Sequence, residues 1–217
     1  MARSVPTGLL NFRSPELAPR CISGKMHLRF TGGAAISAAA GARIDHMGDI
    51  IWPEGFLPGF TDNFVSNEIV VPNLSAAEVW TYLNDTRLWP LCYSHAFVTR
   101  FDDGAGPELG DGVRFGFTTF GVAVEAKVVE YVPPAAGQPA RLAWYAWVDG
   151  DAESRATVHH AWLFEDLPGG RVRILTQETQ NGKPARDLAV AKPNPMLNAH
   201  QEWIEGLARS AIQKASP

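Results

Sequence analysis

Hydrophobic and polar residues alternate in short segments from Val65 onward, which is the pattern of strands that bury one face. The first such strand ends at Pro72. The remaining predicted strands are His95–Asp102, Val113–Thr119, Val122–Val132, Arg141–Asp149, Arg155–Phe164 and Arg171–Gln180. Because the turn-rich links between them are too short for crossover helices, these strands should pair as antiparallel neighbours. The pattern therefore excludes a doubly wound fold with a dinucleotide fingerprint.

Helical periodicity predicts one helix directly after the first strand and another at the end of the chain. Asn73 or Ser75 can cap the first helix, and Glu78 lies three residues after Ser75, as a capping box requires. The segment TRLWPLCYS predicts a second short helix that Pro90 breaks. The last helix is predicted over Met196–Ala215, with an apolar side formed by Leu197, His200, Trp203 or Ile204, Leu207 and Ile212. A helix with such a side needs a sheet to lie on.

Composition limits the possible partners. A net charge of -4 provides no basic surface of the kind that nucleic acid selects, so no nucleic-acid partner is expected. Cys21 and Cys92 lie far apart and outside any metal-ligand spacing, which argues against a disulfide framework or a cysteine zinc site and favours a reducing cytoplasm. No segment is apolar for long enough to cross a bilayer. No cofactor is predicted, and the oligomeric state, monomer or homodimer, stays open.

The chain of 217 residues is expected to hold one domain with an extension. Residues 1–49 lack the compact apolar region of a signal peptide, and Met26 or Met47 could be the true start, so a flexible leader or a start codon placed too early is predicted. Residues 50–64 combine prolines with aromatic residues, which predicts an ordered arm anchored on the domain by Trp52 and Phe56. Residues 65–217 form the main domain.

The order of these elements, together with several motifs, resembles the SRPBCC or START-like superfamily, the polyketide cyclase/dehydrase and lipid-transport family. The motifs are IVVPNLSAAEVWTYLND, the WP pair at Trp89 and Pro90, LGDGVRF, VVEYVPP, ARLAW, HHAWLFED, GGRVRILTQETQNG and HQEWIEGL. The resemblance covers roughly two-thirds of the chain and implies an α+β helix-grip fold, a curved antiparallel sheet around a long C-terminal helix with two short helices after the first strand. WPEGFLPGF and ETQNG resemble a bacterial branch. The superfamily shares no catalytic residue, so none is carried over.

Strand alternation predicts which polar side chains face the interior. His160 is placed inward on the sixth strand, with His159 on the outside, and Glu178 is placed inward on the seventh, where Arg173 and Gln177 point to water. The apolar side of the last helix brings His200 toward the sheet. His160, Glu178 and His200 are therefore expected to meet inside the fold.

Two interpretations of these groups stay open. In the first, His160 is held by Glu178 and takes an acidic proton, while Tyr93 or His200 protonates or polarises a carbonyl oxygen. In the second, each imidazole only hydrogen-bonds a buried backbone or hydroxyl group and Glu178 stays hydrated near the mouth. A metal site built from the two histidines and Glu178 is conceivable, but no short paired spacing supports it, and none is predicted.

The expected ligand-binding residues are aromatic or lie on inward strand positions, although core packing also explains the tryptophans. They are Trp89, His95, Phe115, Phe117, Thr119, Val124, Trp144, Trp162, Thr176 and Trp203. The predicted function is binding of a small hydrophobic or aromatic metabolite, polyketide- or lipid-like, in an internal cavity. The first alternative is a cyclase or dehydratase that uses His160 and Glu178. The second is a protein-interaction module, which would show an exposed apolar patch and a collapsed cavity.

Overall fold

The computed structural model of the protein describes residues 49–215, so the predicted leader lies outside the described residues except for Asp49. Within them, the strands form one antiparallel seven-stranded sheet in the order β1-β7-β6-β5-β4-β3-β2. The strands are β1 Asn63–Pro72, β2 Ala96–Phe101, β3 Arg114–Thr119, β4 Val122–Val132, β5 Ala140–Val148, β6 Ala156–Leu167 and β7 Arg171–Asn181. Neighbours along the chain are hairpin partners except for β1, which pairs with β7 and begins two residues before the predicted start.

Helices cover the concave side of this sheet. They are α1 Ala76–Asn84, α2 Trp89–Cys92, α3 Lys183–Val190 and α4 Pro195–Ala215, with single 3₁₀ turns over Thr86–Leu88 and Asp102–Gly104. The predicted capping box of α1 is confirmed, because the Ser75 hydroxyl accepts from the Glu78 N–H and the Glu78 carboxylate accepts from the Ser75 N–H. The predicted helix-grip architecture, a curved sheet around a long C-terminal helix, is confirmed.

Pro90 behaves differently from the prediction, and the last helix begins one residue earlier than predicted. Pro90 does not break the second helix; it lies in the first turn of α2, directly after the 3₁₀ turn. Pro195 begins α4. In the first turn of a helix the missing N–H of proline has no intrahelical acceptor to lose, so proline starts a helix there at little cost.

The main core lies between the concave face and the helices, and the buried side of α4 is shorter than the sequence predicted. His200, Trp203, Ile204 and Leu207 are buried, together with small residues of the same helix, Ala199, Ala208 and Ala211. Leu197 and Ile212, predicted on the apolar side, are 40% and 44% exposed because they lie near the two ends of the helix, beyond its most tightly covered turns.

The convex face is partly covered by residues 50–62, the segment that precedes β1. The ring of Trp52 lies 5.5 Å from the ring of His159, and the ring of Phe56 lies 5.9 Å from it. His159 faces outward as predicted but is buried under these rings. Arg173, predicted to point to water, is also buried on the outer face, where it pairs with Glu68 and Glu165. The sequence prediction failed here because alternation identifies a face but not what covers it.

None of the helices over residues 49–215 has the length and apolar content that a membrane span requires.

Candidate functional site

A cavity of about 310 Å³ lies between the concave face of the sheet and the start of α4. Most of its wall is hydrocarbon or aromatic, and the apolar side chains include Phe117, Val124, Trp144, Ala146, Val158 and Trp203. The ionisable residues among the described lining are Tyr93, His160, Glu178 and His200. Antiparallel pairing sets His160 directly across from Glu178 on the neighbouring strand, so both side chains point to the same face.

His160, Glu178 and His200 meet as the sequence predicted. One carboxylate oxygen of Glu178, Oε2, lies 3.0 Å from His160 Nδ1 and 3.5 Å from His200 Nε2. The two imidazole rings are stacked, with centroids 4.5 Å apart and planes 17° apart. All of these side chains are at least nine-tenths buried, at 3%, 5% and 2% exposure for His160, Glu178 and His200. The arrangement therefore places a carboxylate under two imidazoles at the polar end of an apolar cavity.

His160 uses both of its ring nitrogens inside the protein. Nδ1 faces Glu178, and Nε2 lies 2.9 Å from the hydroxyl oxygen of Thr176, which is itself 3.2 Å from the Ala161 carbonyl. Burial lowers the pKa of His160 well below its usual range, and the nearby His200 and His159 lower it further. His160 is thus a neutral imidazole whose two nitrogens both have partners, which leaves it no nitrogen for a bound molecule.

His200 differs from His160 in one respect. Its Nε2 approaches Glu178, but its Nδ1 is buried without a hydrogen-bond partner. A buried polar atom without a partner costs free energy, and in a cavity wall a ligand atom can supply the missing partner. His200 therefore keeps a ring nitrogen without a partner, whereas both ring nitrogens of His160 lie close to protein groups.

A chain of side-chain amides that the sequence did not single out holds the other oxygen of Glu178. Gln180 Nε2 donates to Glu178 Oε1, Asn63 Nδ2 donates to Gln180 Oε1 at 2.7 Å, and Asn194 Nδ2 donates to Asn63 Oδ1 at 2.9 Å. The Met196 N–H donates to Asn194 Oδ1 at 3.0 Å in the first turn of α4. Since a backbone N–H can only donate, it fixes the orientation of every amide back to the carboxylate. Residues on three separate segments take part, so no local spacing could have revealed the chain.

Tyr93 forms part of the wall beside α4. Its ring is stacked on Trp203, with centroids 4.9 Å apart and planes 14° apart. Burial raises the pKa of Tyr93 strongly, and the charges of Glu202 and Glu178 add to the effect, so the phenol keeps its proton. Tyr93, which lines the cavity, therefore keeps a hydroxyl that can donate a hydrogen bond over the whole physiological range.

Phe120, at the mouth, was also missed by the sequence prediction. It lies at the tip of the β3–β4 hairpin, lines the cavity and stacks on His95 at 5.2 Å. Its backbone has a φ of 49°, a left-handed conformation that a bulky residue seldom adopts. His95 itself lies on the surface and does not line the cavity.

The other predicted ligand-binding residues divide into two groups. Those in the cavity wall are Phe117, Thr119, Val124, Trp144 and Trp203. Trp89, Phe115 and Trp162 are fully buried in the core behind the wall, where Trp89 donates its indole N–H to the Leu83 carbonyl at 2.8 Å. Thr176 lies beneath His160. Core packing accounts for the tryptophans that do not reach the cavity, because alternation cannot distinguish a packed inward position from a cavity-lining one.

The same cluster contains donor types that zinc uses. One nitrogen from each histidine and one oxygen of Glu178 lie within 4.8 Å of one another. The absence of a metal site stays a prediction.

Comparison with known proteins finds a relative of substantial identity among the solved structures. No family model and no curated protein matches the chain. Among solved structures, the hypothetical protein jhp0584 from Helicobacter pylori is 42% identical, with a TM-score of 0.73, and the match covers 76% of this chain and 98% of that protein. Protein NE0264 from Nitrosomonas europaea is 13% identical, with a TM-score of 0.50, over 72% of this chain and 98% of its own.

At 13% identity, the similarity to the Nitrosomonas protein shows only that the two proteins share a fold. The di-domain ARO/CYC protein BexL from the BE-7585A biosynthetic pathway is 16% identical, with a TM-score of 0.49. That match covers 71% of this chain and 48% of BexL. The Helicobacter protein matches along nearly its whole length and at far higher identity. The chain therefore belongs to the same family as jhp0584 of Helicobacter pylori.

Proposed function

We propose that this protein, as a member of the SRPBCC or START-like superfamily, binds one small, largely apolar molecule in the cavity. The ligand's polar atom hydrogen-bonds at the end formed by Glu178 and His200. The observation that carries the proposal is the buried, unpartnered Nδ1 of His200 in the wall of a mostly apolar cavity of about 310 Å³. A protein-interaction module with the same fold would have filled this space with side chains, so the open cavity favours ligand binding.

The size of the cavity limits how many atoms the ligand can have and therefore its expected affinity. At about 0.3 kcal/mol per non-hydrogen atom, a molecule of roughly 20 such atoms gains about 6 kcal/mol, which corresponds to a Kd of tens of micromolar. Aromatic walls such as Trp144 and Trp203 provide flat contact surfaces, so a ligand with an aromatic ring fits better than a flexible chain of equal size.

Native mass spectrometry of the protein purified from its own host tests this proposal. Val124→Trp fills the cavity from β4, whereas Ala123→Trp places the same side chain on the exposed face of the same strand. We expect a bound small molecule in the wild type and in Ala123→Trp, and its loss in Val124→Trp. Ala146→Phe repeats the block from β5 should the first variant fold poorly. Retention of the molecule in both folded blocked variants would refute the proposal.

A second candidate function is acid–base catalysis of the cyclase or dehydratase type. His200 favours it, because Glu178 approaches one ring nitrogen and the other is left without a partner, as in a carboxylate-oriented general base. His200 Nδ1 would take a proton from a carbon next to a carbonyl group, and the Tyr93 hydroxyl would donate its hydrogen bond to the carbonyl oxygen.

Kinetics on a panel of poly-β-ketones and aromatic ketones separate the two candidates. Catalysis predicts that His200→Asn abolishes turnover while the affinity for the substrate changes little. The conservative His160→Asn variant, which alters an imidazole without a free nitrogen, would retain part of the activity. Equal turnover in the wild type and in His200→Asn would exclude His200 as the base.

A further inference from the structure

We propose that the ligand of this cavity is an organic cation, a hydrophobic amine whose ammonium group binds the carboxylate of Glu178. This inference rests on the proposed ligand-binding function and names its ligand class. Three features of the described residues carry it: the state in which Glu178 is held, the charge of the groups around it, and the aromatic surfaces beside it.

Glu178 is held in the cavity wall as a hydrogen-bond acceptor. At Oε1 the amide of Gln180 must donate, because the chain through Asn63 and Asn194 is oriented from its far end by the Met196 N–H. Oε2 lies 3.0 Å from a ring nitrogen of His160 and 3.5 Å from one of His200. The amide of Gln180 thus binds Glu178 as an acceptor, which is also the role that an ammonium group of a ligand requires.

No fixed positive charge balances this carboxylate. The described residues that line the cavity include no lysine and no arginine. His160 stays uncharged because burial and its neighbours disfavour its protonated form. A ligand that brings a positive charge gives this buried carboxylate a partner of opposite sign. A ligand that brings a carboxylate adds a second negative charge to the same enclosed space.

The aromatic surfaces suit the same ligand class. Tyr93 and Trp203 stack against each other, and the ring of Trp144 lies 4.8 Å from that of His160, so aromatic rings border the space next to Glu178. Ring faces attract cations, and indole and phenol rings do so best.

The experiment compares three probes that share one skeleton: 2-(naphthalen-2-yl)ethylamine, 2-(naphthalen-2-yl)ethanol and 2-naphthylacetate. Titration calorimetry at about pH 8 keeps ordinary imidazoles neutral and the amine charged. We expect the amine to bind about tenfold more tightly than the alcohol, because a charge-assisted hydrogen bond replaces a neutral one. The acetate should bind more weakly than the alcohol.

The variant Glu178→Gln keeps the shape of the side chain and removes its charge. We expect the ratio of the two affinities, amine over alcohol, to fall from about tenfold to about one in this variant, because the charge that distinguishes the two probes is gone. Glu202→Gln is the matched control, since it removes an exposed carboxylate of α4 outside the cavity lining. The amine preference should persist in that control.

The outcomes separate the inference from the function on which it rests. If the alcohol and the amine bind equally and Val124→Trp abolishes both, the cation inference is overturned and the cavity function stands. If none of the three probes binds the folded protein, both are overturned. Stoichiometric Zn²⁺ binding that requires Glu178 and displaces the amine would overturn the inference in favour of a metal site.

Discussion

The imidazole rings of His160 and His200 lie parallel, 4.5 Å apart, and each turns a nitrogen toward the same oxygen of Glu178. The two rings nevertheless differ in the contacts that their other nitrogens make. His160 is tied on its far side to Thr176, so it supports the carboxylate from within the sheet. His200 comes from α4 and keeps Nδ1 without a partner, so it is the imidazole that a ligand can engage.

The hydroxyl of Thr176 should be necessary for the stability of this cluster. In Thr176→Val the buried Nε2 of His160 loses its partner, and we expect the free energy of unfolding to fall by about 1–3 kcal/mol. Urea denaturation measures the change.

Thr179 on the same strand is the matched control for Thr176. It is equally buried, but its hydroxyl has no hydrogen-bond partner, so Thr179→Val should be neutral or stabilising. Equal losses in Thr176→Val and Thr179→Val would show that the bond to His160 contributes nothing.

The hairpin tip at Phe120 should combine backbone strain with a role at the mouth of the cavity. Phe120 and Gly121 both have positive φ, at 49° and 78°, and join β3 to β4 as a two-residue turn. Asn tolerates this conformation better than Ala, so Phe120→Asn should be about 1 kcal/mol more stable than Phe120→Ala. Both variants remove the ring and should accelerate ligand dissociation equally in stopped-flow measurements. Equal stability of Phe120→Asn and Phe120→Ala would contradict the presence of backbone strain at this position.

His159 should make the protein less stable in mild acid. Burial lowers its pKa to about 4 in the folded protein, whereas the unfolded chain takes up the proton near the ordinary value of about 6.5. As the pH falls between these values, protonation favours the unfolded state, so the free energy of unfolding decreases. His160, whose pKa is also lowered, adds to the decrease.

The variant His159→Phe removes this titration and keeps a ring between Trp52 and Phe56. We expect its stability to fall less than that of the wild type between about pH 6.5 and pH 4.5, as measured by urea denaturation. His95→Gln, which alters an exposed histidine, should follow the wild type. A variant whose pH dependence matches the wild type would refute the role of His159.

Gly206 is the point at which α4 approaches α2 most closely. A Cβ placed there would lie 1.8 Å from the carbonyl oxygen of Cys92, so Gly206→Ala must push the helices apart beside Tyr93. We expect a loss of about 3 kcal/mol, which outweighs the higher helix propensity of alanine. Gly110→Ala meets only an ordinary contact at 3.5 Å from Val113 and should change little. Similar stabilities for the two variants would contradict the close approach.

The sequence predicted the architecture well because alternation and helical periodicity report burial directly. It placed His160 and Glu178 on one face through strand period, and His200 on the inner side of α4 through helical period. Periodicity does not reveal which groups a side chain contacts. The sequence prediction therefore gave the role of base to His160, although Thr176 and Glu178 lie next to its two ring nitrogens.

Other features depended on tertiary packing that no local pattern encodes. The covering of His159 by Trp52 comes from a segment about a hundred residues away in the chain, and the amide chain from Glu178 to Asn194 joins β1, β7 and the start of α4. Phe120 gave no signal as a turn residue because phenylalanine is uncommon at positive φ. The sequence therefore located the site but did not reveal how its groups are held.

A crystal structure of the protein purified from its own host tests the central claim most directly. We predict density for an organic molecule inside the cavity, with a polar atom within hydrogen-bond distance of Glu178 or of His200 Nδ1 and apolar atoms against Trp144 and Trp203. A cavity closed by the side chains of α4, or a bound molecule that contacts neither Glu178 nor His200, would contradict it.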